Sequence, residues 1–315
     1  MNPAQRLILG LREPQLTNSI KKFFNDKQVG GVVLFDQNAK DFNQLKKLIA
    51  DINEACSVKP FIAIDFEGGR VRRFAGLFES LKKPIEYVNN FAELKLICEK
   101  IGKTFKEIGI NINLAPVVDL SYQLVNPALI DRTFSHDPSQ TAEYSLSFFR
   151  GFSENDVICC LKHFPGLGSA VNDPHNEVAL SCISKEMIMG NDIIPFKAGI
   201  TKGIKMIMTT HLLLTAIDYQ IATFSKRVIG LARELGFGGI MITDDLSMGS
   251  IKKKLLLPEA VLKALCAGHD MALICHDHDS YTEIVNCLED NLNLLQQHGH
   301  EGALQRISNV KKTLP

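Results

Sequence analysis

Eight short apolar runs, each four to seven residues long, recur along the chain between longer amphipathic stretches, and this alternation constrains the fold more than any other feature. The runs lie at 7–11, 31–35, 61–64, 112–118, 157–161, 205–210, 239–243 and 271–275. Each is too short for an ordinary helix and rich in β-favouring residues, so each reads as a buried strand. The intervening stretches, for example 42–55, 94–108, 141–152, 185–199 and 258–267, repeat apolar residues at helical spacing. Strands separated by helices must be joined by parallel crossovers, which places the helices outside a parallel sheet. Eight such units point to an α/β fold, a single closed (β/α)8 TIM-type barrel, with an open doubly wound sheet as the alternative. No Ser/Gly/Pro-rich tract or long run of like charge interrupts the 315 residues, so one catalytic barrel domain over 1–315 is expected.

Composition narrows the function classes. Hydrophobic residues make up 45% and the formal net charge is zero, which supplies core material but no global field to draw nucleic acid or an anionic membrane. The apolar patch near residue 8 is shorter than a signal-peptide core, and no later run approaches a membrane span. The eight cysteines form no CxxC pair and several sit in apolar runs, a pattern of reduced, buried thiols in a cytoplasmic protein. Oligomerisation has no readable signature, and a monomer is the default expectation.

In a barrel of this kind the chemistry gathers at the carboxyl ends of the strands. The polar residues stand there: Asp65, Asp119, Lys162 with His163, His211, Asp244 with Asp245, and His276. The strand starts carry small or ordinary turn residues instead. A rim of carboxylates, imidazoles and one ammonium suits a neutral, hydroxyl-rich ligand such as a sugar better than a nucleotide. After the fifth run, Pro165, Gly166 and Gly168 forbid regular structure and release a loop that carries Asp173 and His175. A rigid strand end beside a loop with an Asp-x-His pair suggests a binding shelf with a titratable group brought over it. The run 276–279, His-Asp-His-Asp, has alternating spacing without evident convergence, so no metal is assigned, and no cofactor is expected. The lysines at 252–254 read as a solvated cluster.

The strings IAIDFEGGRVRRF (62–74), NLAPVVDL (113–120), NPALIDRTFSHDP (126–138), KHFPGLGSAVNDPH (162–175) and GFGGIMITDDLSM (236–248) resemble, in order and spacing, the signatures of glycoside hydrolase family 3. Within that family they are similar to the single-domain β-N-acetylglucosaminidases that recycle peptidoglycan fragments in the bacterial cytoplasm. The resemblance implies a retaining mechanism in which Asp244 is the nucleophile and forms a covalent glycosyl-enzyme. It implies that His175 is the acid/base, oriented by Asp173. Asp65, Arg73, Arg132, Lys162 and His163 correspond to the clamp on the sugar hydroxyls and acetamido group. The implied substrate is a GlcNAc-containing muropeptide.

Two other readings belong to different classes: Lys162 as a Schiff-base lysine of a lyase, or a catalytically silent sugar-binding barrel. Several residues also admit plain roles. Arg132 beside Asp131 could be an ordinary surface ion pair, and Asp119 reads as a buried carboxylate bracing neighbouring loops. His211 either lines the pocket or bonds locally. Asp245 reads as structural, because adjacent residues on a regular strand point in opposite directions.

Overall fold

The computed structural model describes residues 2–122, 126–170 and 178–314. Eight parallel strands close into a barrel: β1 (Leu7–Gly10), β2 (Gly31–Leu34), β3 (Phe61–Ile64), β4 (Ile112–Asn113), β5 (Ile158–Phe164), β6 (Met206–Thr209), β7 (Ile240–Asp245) and β8 (Met271–Ile274). They follow one another around the barrel in chain order, and β1 closes it by pairing with β8, Ile8 opposite Leu273. All eight apolar runs of the sequence become staves, and the open-sheet alternative is excluded by the closure.

Alternation along each strand sorts the core into two bodies. Ile8, Val33, Ala63, Ile112, Cys160, Met208, Ile242 and Leu273 point inward and fill the barrel. The intervening residues, such as Leu7, Val32, Ile62 and Ile207, face the surrounding helices. Gly10 sits where β1 crowds its neighbour, and a Cβ there would lie 1.9 Å from the Cys275 carbonyl oxygen.

Helices form where the amphipathic stretches were read. The main ones near the site are α1 (Phe42–Ala55), α2 (Phe91–Ile108), α3 (Pro138–Ser153), α4 (Ile193–Thr201), α5 (Gly249–Lys252) and α6 (Leu257–Ala267). Asp41, Asn90 and Asp137 cap three of them, each accepting a backbone N–H of the first turn. The stretch expected as one helix over 185–199 is broken instead into Lys185–Met187, a π turn Ile188–Asp192, and α4. Pro195 explains the break: it offers no N–H, and its ring disfavours the regular bond to the residue four earlier, so the ladder slips by one before it.

Proline also shortens a stave. Within the run 112–118 regular strand spans only Ile112–Asn113, because Pro116 has no N–H to donate, yet the chain stays paired: Leu114 N donates to the Ile64 carbonyl and Val118 N to the Lys162 carbonyl, both at 2.8 Å, while the Ala115 and Pro116 carbonyls accept the Cys160 and Lys162 amides. All eight cysteines are free thiols; Cys182 is exposed, while Cys98, Cys159, Cys160 and Cys275 are buried. Among the described residues, no helix is long and apolar enough to cross a membrane.

Candidate active site

The carboxyl ends of the strands surround a cavity of about 400 Å³. Asp65, Lys162, His163, Asp244 and Asp245 line it from strand ends, and Arg73 and Arg132 reach it from loops. All the clamp residues expected from the sequence therefore meet Asp244 at one mouth of the barrel. Asp173 and His175 lie outside the described residues.

Glu67, which is not among the rim residues legible in the sequence, is the hub. After β3 the chain makes a hairpin, Phe66–Gly68 against Val71–Arg72. Gly68 and Gly69 take φ of 99° and 56°, which a side chain at Gly68 could not easily share. Asn113 at the end of β4 clamps this hairpin. Its Oδ1 accepts the Phe66 amide and its Nδ2 donates to the Phe66 carbonyl, both at 3.0 Å. Glu67 is thereby turned inward and is 2% exposed.

Two cations converge on it. Arg132 donates through Nε and Nη2 to the two carboxylate oxygens at 2.8 Å each, a bidentate fork. Lys162 Nζ stands 2.6 Å from Glu67 Oε1 and 2.7 Å from Asp65 Oδ1. Burial opposes charge on all three groups, yet Arg132 and Lys162 hold Glu67 well below the usual carboxylate range. Asp65 and Glu67 likewise hold Lys162 above its ordinary value, and Glu67 does the same for Arg132. The surface pairing of Arg132 with Asp131 is overturned: Asp131 faces outward to Lys83 at 3.0 Å. The local signal for Glu67 was its spacing, since Asp65 and Glu67 lie two apart and share a face of extended chain.

Asp119 braces as expected. Its Oδ1 accepts the amides of His163 and Leu167 at 3.2 and 2.7 Å, and its Oδ2 lies 2.6 Å from His163 Nδ1. With Nδ1 so engaged, Nε2 is the His163 nitrogen left for a ligand. His163 and Lys162 both line the cavity although adjacent in sequence, because the pairing of β5 with β6 shifts register between Leu161 and Phe164.

A second shift, between Ile242 and Asp245, brings both Asp244 and Asp245 to the cavity, so the alternation argument for Asp245 fails. Its bracing role stands on its bonds instead. Asp245 Oδ1 accepts the Ser247 amide at 3.0 Å, the Ser247 hydroxyl at 2.7 Å and the Cys275 amide at 3.0 Å. Asp244 accepts only the Asp245 amide, at 2.8 Å, among the described residues. Burial would raise the Asp244 pKa, but the positive fields of His163 and His211, the amide bond and Lys162 outweigh it and hold the carboxyl below its usual value. His211 does not line the cavity. It is fully buried, with Nδ1 2.5 Å from the Thr223 hydroxyl and Nε2 2.9 Å from the Asp245 carbonyl.

Arg73 lies over the Phe35 ring at 5.2 Å and 3.5 Å from Asp36, with its Nε buried and without a hydrogen-bond partner among the described residues. His276 packs against the same ring at 4.7 Å. The other members of the His-Asp-His-Asp run diverge: Asp277 pairs with Lys252 at 2.8 Å and Asp279 with Arg12 at 2.9 Å.

The base of the loop that follows β5 is packed against the π turn. A Cβ on Gly166, whose φ is 130°, would come within 2.7 Å of Asp192. Asp192 is 2% exposed and accepts the Tyr122 hydroxyl at 2.7 Å. Burial pushes its carboxyl up to about 7; the Tyr122 bond opposes this and the Asp119 charge adds to it. An acid whose folded pKa is raised contributes stability that is complete below its unfolded pKa of about 3.9 and is lost as pH rises through about 7. Asp192→Asn is therefore expected to flatten the loss of stability between pH 4 and 7, by more than about 1 kcal/mol at pH 8. Urea denaturation of both proteins across that range reads it.

Comparison with known proteins agrees with this geometry. The model of the glycosyl hydrolase family 3 N-terminal domain matches residues 6–310. The chain belongs to glycoside hydrolase family 3. It is a glycoside hydrolase, and a relative, the β-hexosaminidase of Stenotrophomonas maltophilia K279a, is 31% identical over 281 residues, covering 86% of this chain and 83% of that protein. Among solved family 3 structures, the β-N-acetylglucosaminidase of Paenibacillus sp. FPU-7 superposes with a TM-score of 0.94 at 26% identity, covering 98% of this chain and 61% of that longer one. NagZ from Neisseria gonorrhoeae, solved with N-trifluoroacetyl-D-glucosamine, superposes with a TM-score of 0.81 at 25% identity over 98% of each chain.

Proposed function

We propose that this family 3 hydrolase is a retaining exo-β-N-acetylglucosaminidase, a monomer acting in the cytoplasm, that removes terminal non-reducing GlcNAc from peptidoglycan-derived (anhydro)muropeptides. The observation that carries the reading is Asp244: a carboxylate on a strand end, kept ionised by its neighbours and lightly hydrogen-bonded, at the floor of a cavity lined by sugar-binding donors and acceptors. Such a group can attack the anomeric carbon while the glycosidic bond breaks. The leaving oxygen takes a proton from His175, which Asp173 orients. His175 then takes a proton from water, the hydroxide attacks the same carbon, and Asp244 departs, so two inversions give net retention. Neither His175 nor Asp173 is among the described residues, and their roles rest on the sequence motif.

The clamp accounts for a neutral substrate. Lys162 can donate a third hydrogen bond to a hydroxyl while Asp65, 19% exposed in its side chain, accepts one. The same contacts disfavour the lyase reading, because a Schiff-base lysine must lose its proton. Lys162 is instead held as an ammonium between two carboxylates.

The expected result is hydrolysis of a chromogenic β-GlcNAc glycoside, with the β-anomer of GlcNAc as first product by NMR, and at least about 100-fold weaker action on the matching β-glucoside, which leaves the acetamido partners unpaired. Equal rates on both glycosides would remove the acetamido requirement. An α-anomer as first product would remove retention.

A further inference from the structure

A second groove, of about 310 Å³, lies on the other side of α5 from the catalytic cavity. Gly249 and Lys252 of that helix line the catalytic cavity, while Ser250 and Ile251 line the groove. One short helix is thus a wall common to both. The groove is floored by Leu213, Ile221, Phe224 and Leu255, and Tyr219, 86% exposed, stands at its rim.

Three features give the groove a chemical preference. Lys254 and Lys263 flank it, and no carboxylate is among its lining residues as far as the described residues go. Asp218, next to Tyr219 in the chain, accepts the Ser225 hydroxyl at 2.7 Å. Lys263 is poised over the Phe224 ring at 4.7 Å, and Lys254 makes no ion pair among the described residues. Ser250 is 1% exposed and its hydroxyl has no hydrogen-bond partner there, an orphan that a ligand oxygen reaching the groove would satisfy.

We propose that this groove binds a carboxylate-bearing peptide arm on the leaving group of the substrate. The proposal rests on the glycosidase reading given above and adds to it the chemistry of the leaving-group side. An arm attached to the leaving sugar crosses a helix of about 10 Å diameter to reach the groove. At about 3.4 Å per extended residue, an arm of three or so residues spans that distance. Apolar side chains of the arm lie on Ile221 and Phe224, and its carboxylates meet Lys254 and Lys263. A neutral aryl leaving group has no such reach and gains nothing from the groove.

The test compares kcat/KM for two substrates, a chromogenic GlcNAc glycoside and GlcNAc joined to an N-acetylmuramoyl tripeptide, in wild type, Lys254→Glu and Tyr219→Ala. The ratio of peptide substrate to aryl glycoside should fall about 3- to 10-fold in Lys254→Glu, and more at low salt than at high salt. Tyr219→Ala should lower it in the same direction without the salt dependence. An unchanged ratio in both variants overturns the proposal while leaving the glycosidase reading intact. If wild type cleaves neither substrate, that reading fails instead. The groove is then judged by calorimetric titration of N-acetylmuramoyl tripeptide into wild type and Lys254→Glu. Binding to wild type that weakens in the variant supports the proposal, and equal binding or none overturns it.

Discussion

Asp244→Ala should reduce turnover of a β-GlcNAc glycoside by roughly 10⁴- to 10⁶-fold, the range seen when a covalent nucleophile's machinery is removed. The variant should fold normally, because Asp244 accepts a single amide hydrogen bond among the described residues and faces the cavity, not the core. His175→Ala should cost less, about 10²- to 10⁴-fold, as expected for loss of proton transfer. Incubating wild type with a fluorinated N-acetylglucosaminide and mapping its peptides by mass should find the sugar on the peptide containing Asp244. A label on another residue, or a rate within tenfold of wild type in Asp244→Ala, would overturn the assignment.

Glu67→Gln should lower folding stability by about 3–5 kcal/mol, because it leaves Arg132 and Lys162 buried without their common counter-charge. Arg132 and Lys162 are 9% and 3% exposed, so water is a poor replacement for the carboxylate. Activity should fall as well, since the position of the Lys162 ammonium depends on the same contact. The control is Asp131→Asn, whose partner Lys83 is half-exposed, and there the change should stay within about 0.5 kcal/mol. The pH dependence follows from the lowered pKa of Glu67. A depressed carboxyl contributes stability that is complete above its unfolded pKa of about 4.3 and is lost as pH falls toward the folded value. The gap between wild type and Glu67→Gln should accordingly be widest near neutrality and narrow below about pH 4. Urea denaturation at pH 7 and at lower pH measures both.

Much of the site was legible before any fold was known, for a local reason. A strand end is marked by the change from apolar to polar residues, and a parallel barrel brings all such ends to one mouth. Asp65, Lys162, His163 and Asp244 could be grouped on that basis, although they are up to 179 positions apart in the chain. What misled was the assumption of regular strands. Both departures from regular geometry, the orientation of Asp245 and the break of the 185–199 helix, occur where the ladder slips, and a slip depends on neighbouring staves or on a single proline.

Sequence alone determined the number, order and direction of the staves, the rim of ionisable groups and the family, because each is written in short-range period or in strings of adjacent residues. Tertiary structure decided who pairs with whom: that Arg132 turns inward to Glu67 and not outward to Asp131, that His211 bonds to Thr223 and not to the cavity, and that one face of α5 looks onto chemistry and the other onto a cationic groove. The physical reason is that a buried charge takes whichever partner the closed barrel brings within 3 Å, and closure is a property of the whole chain.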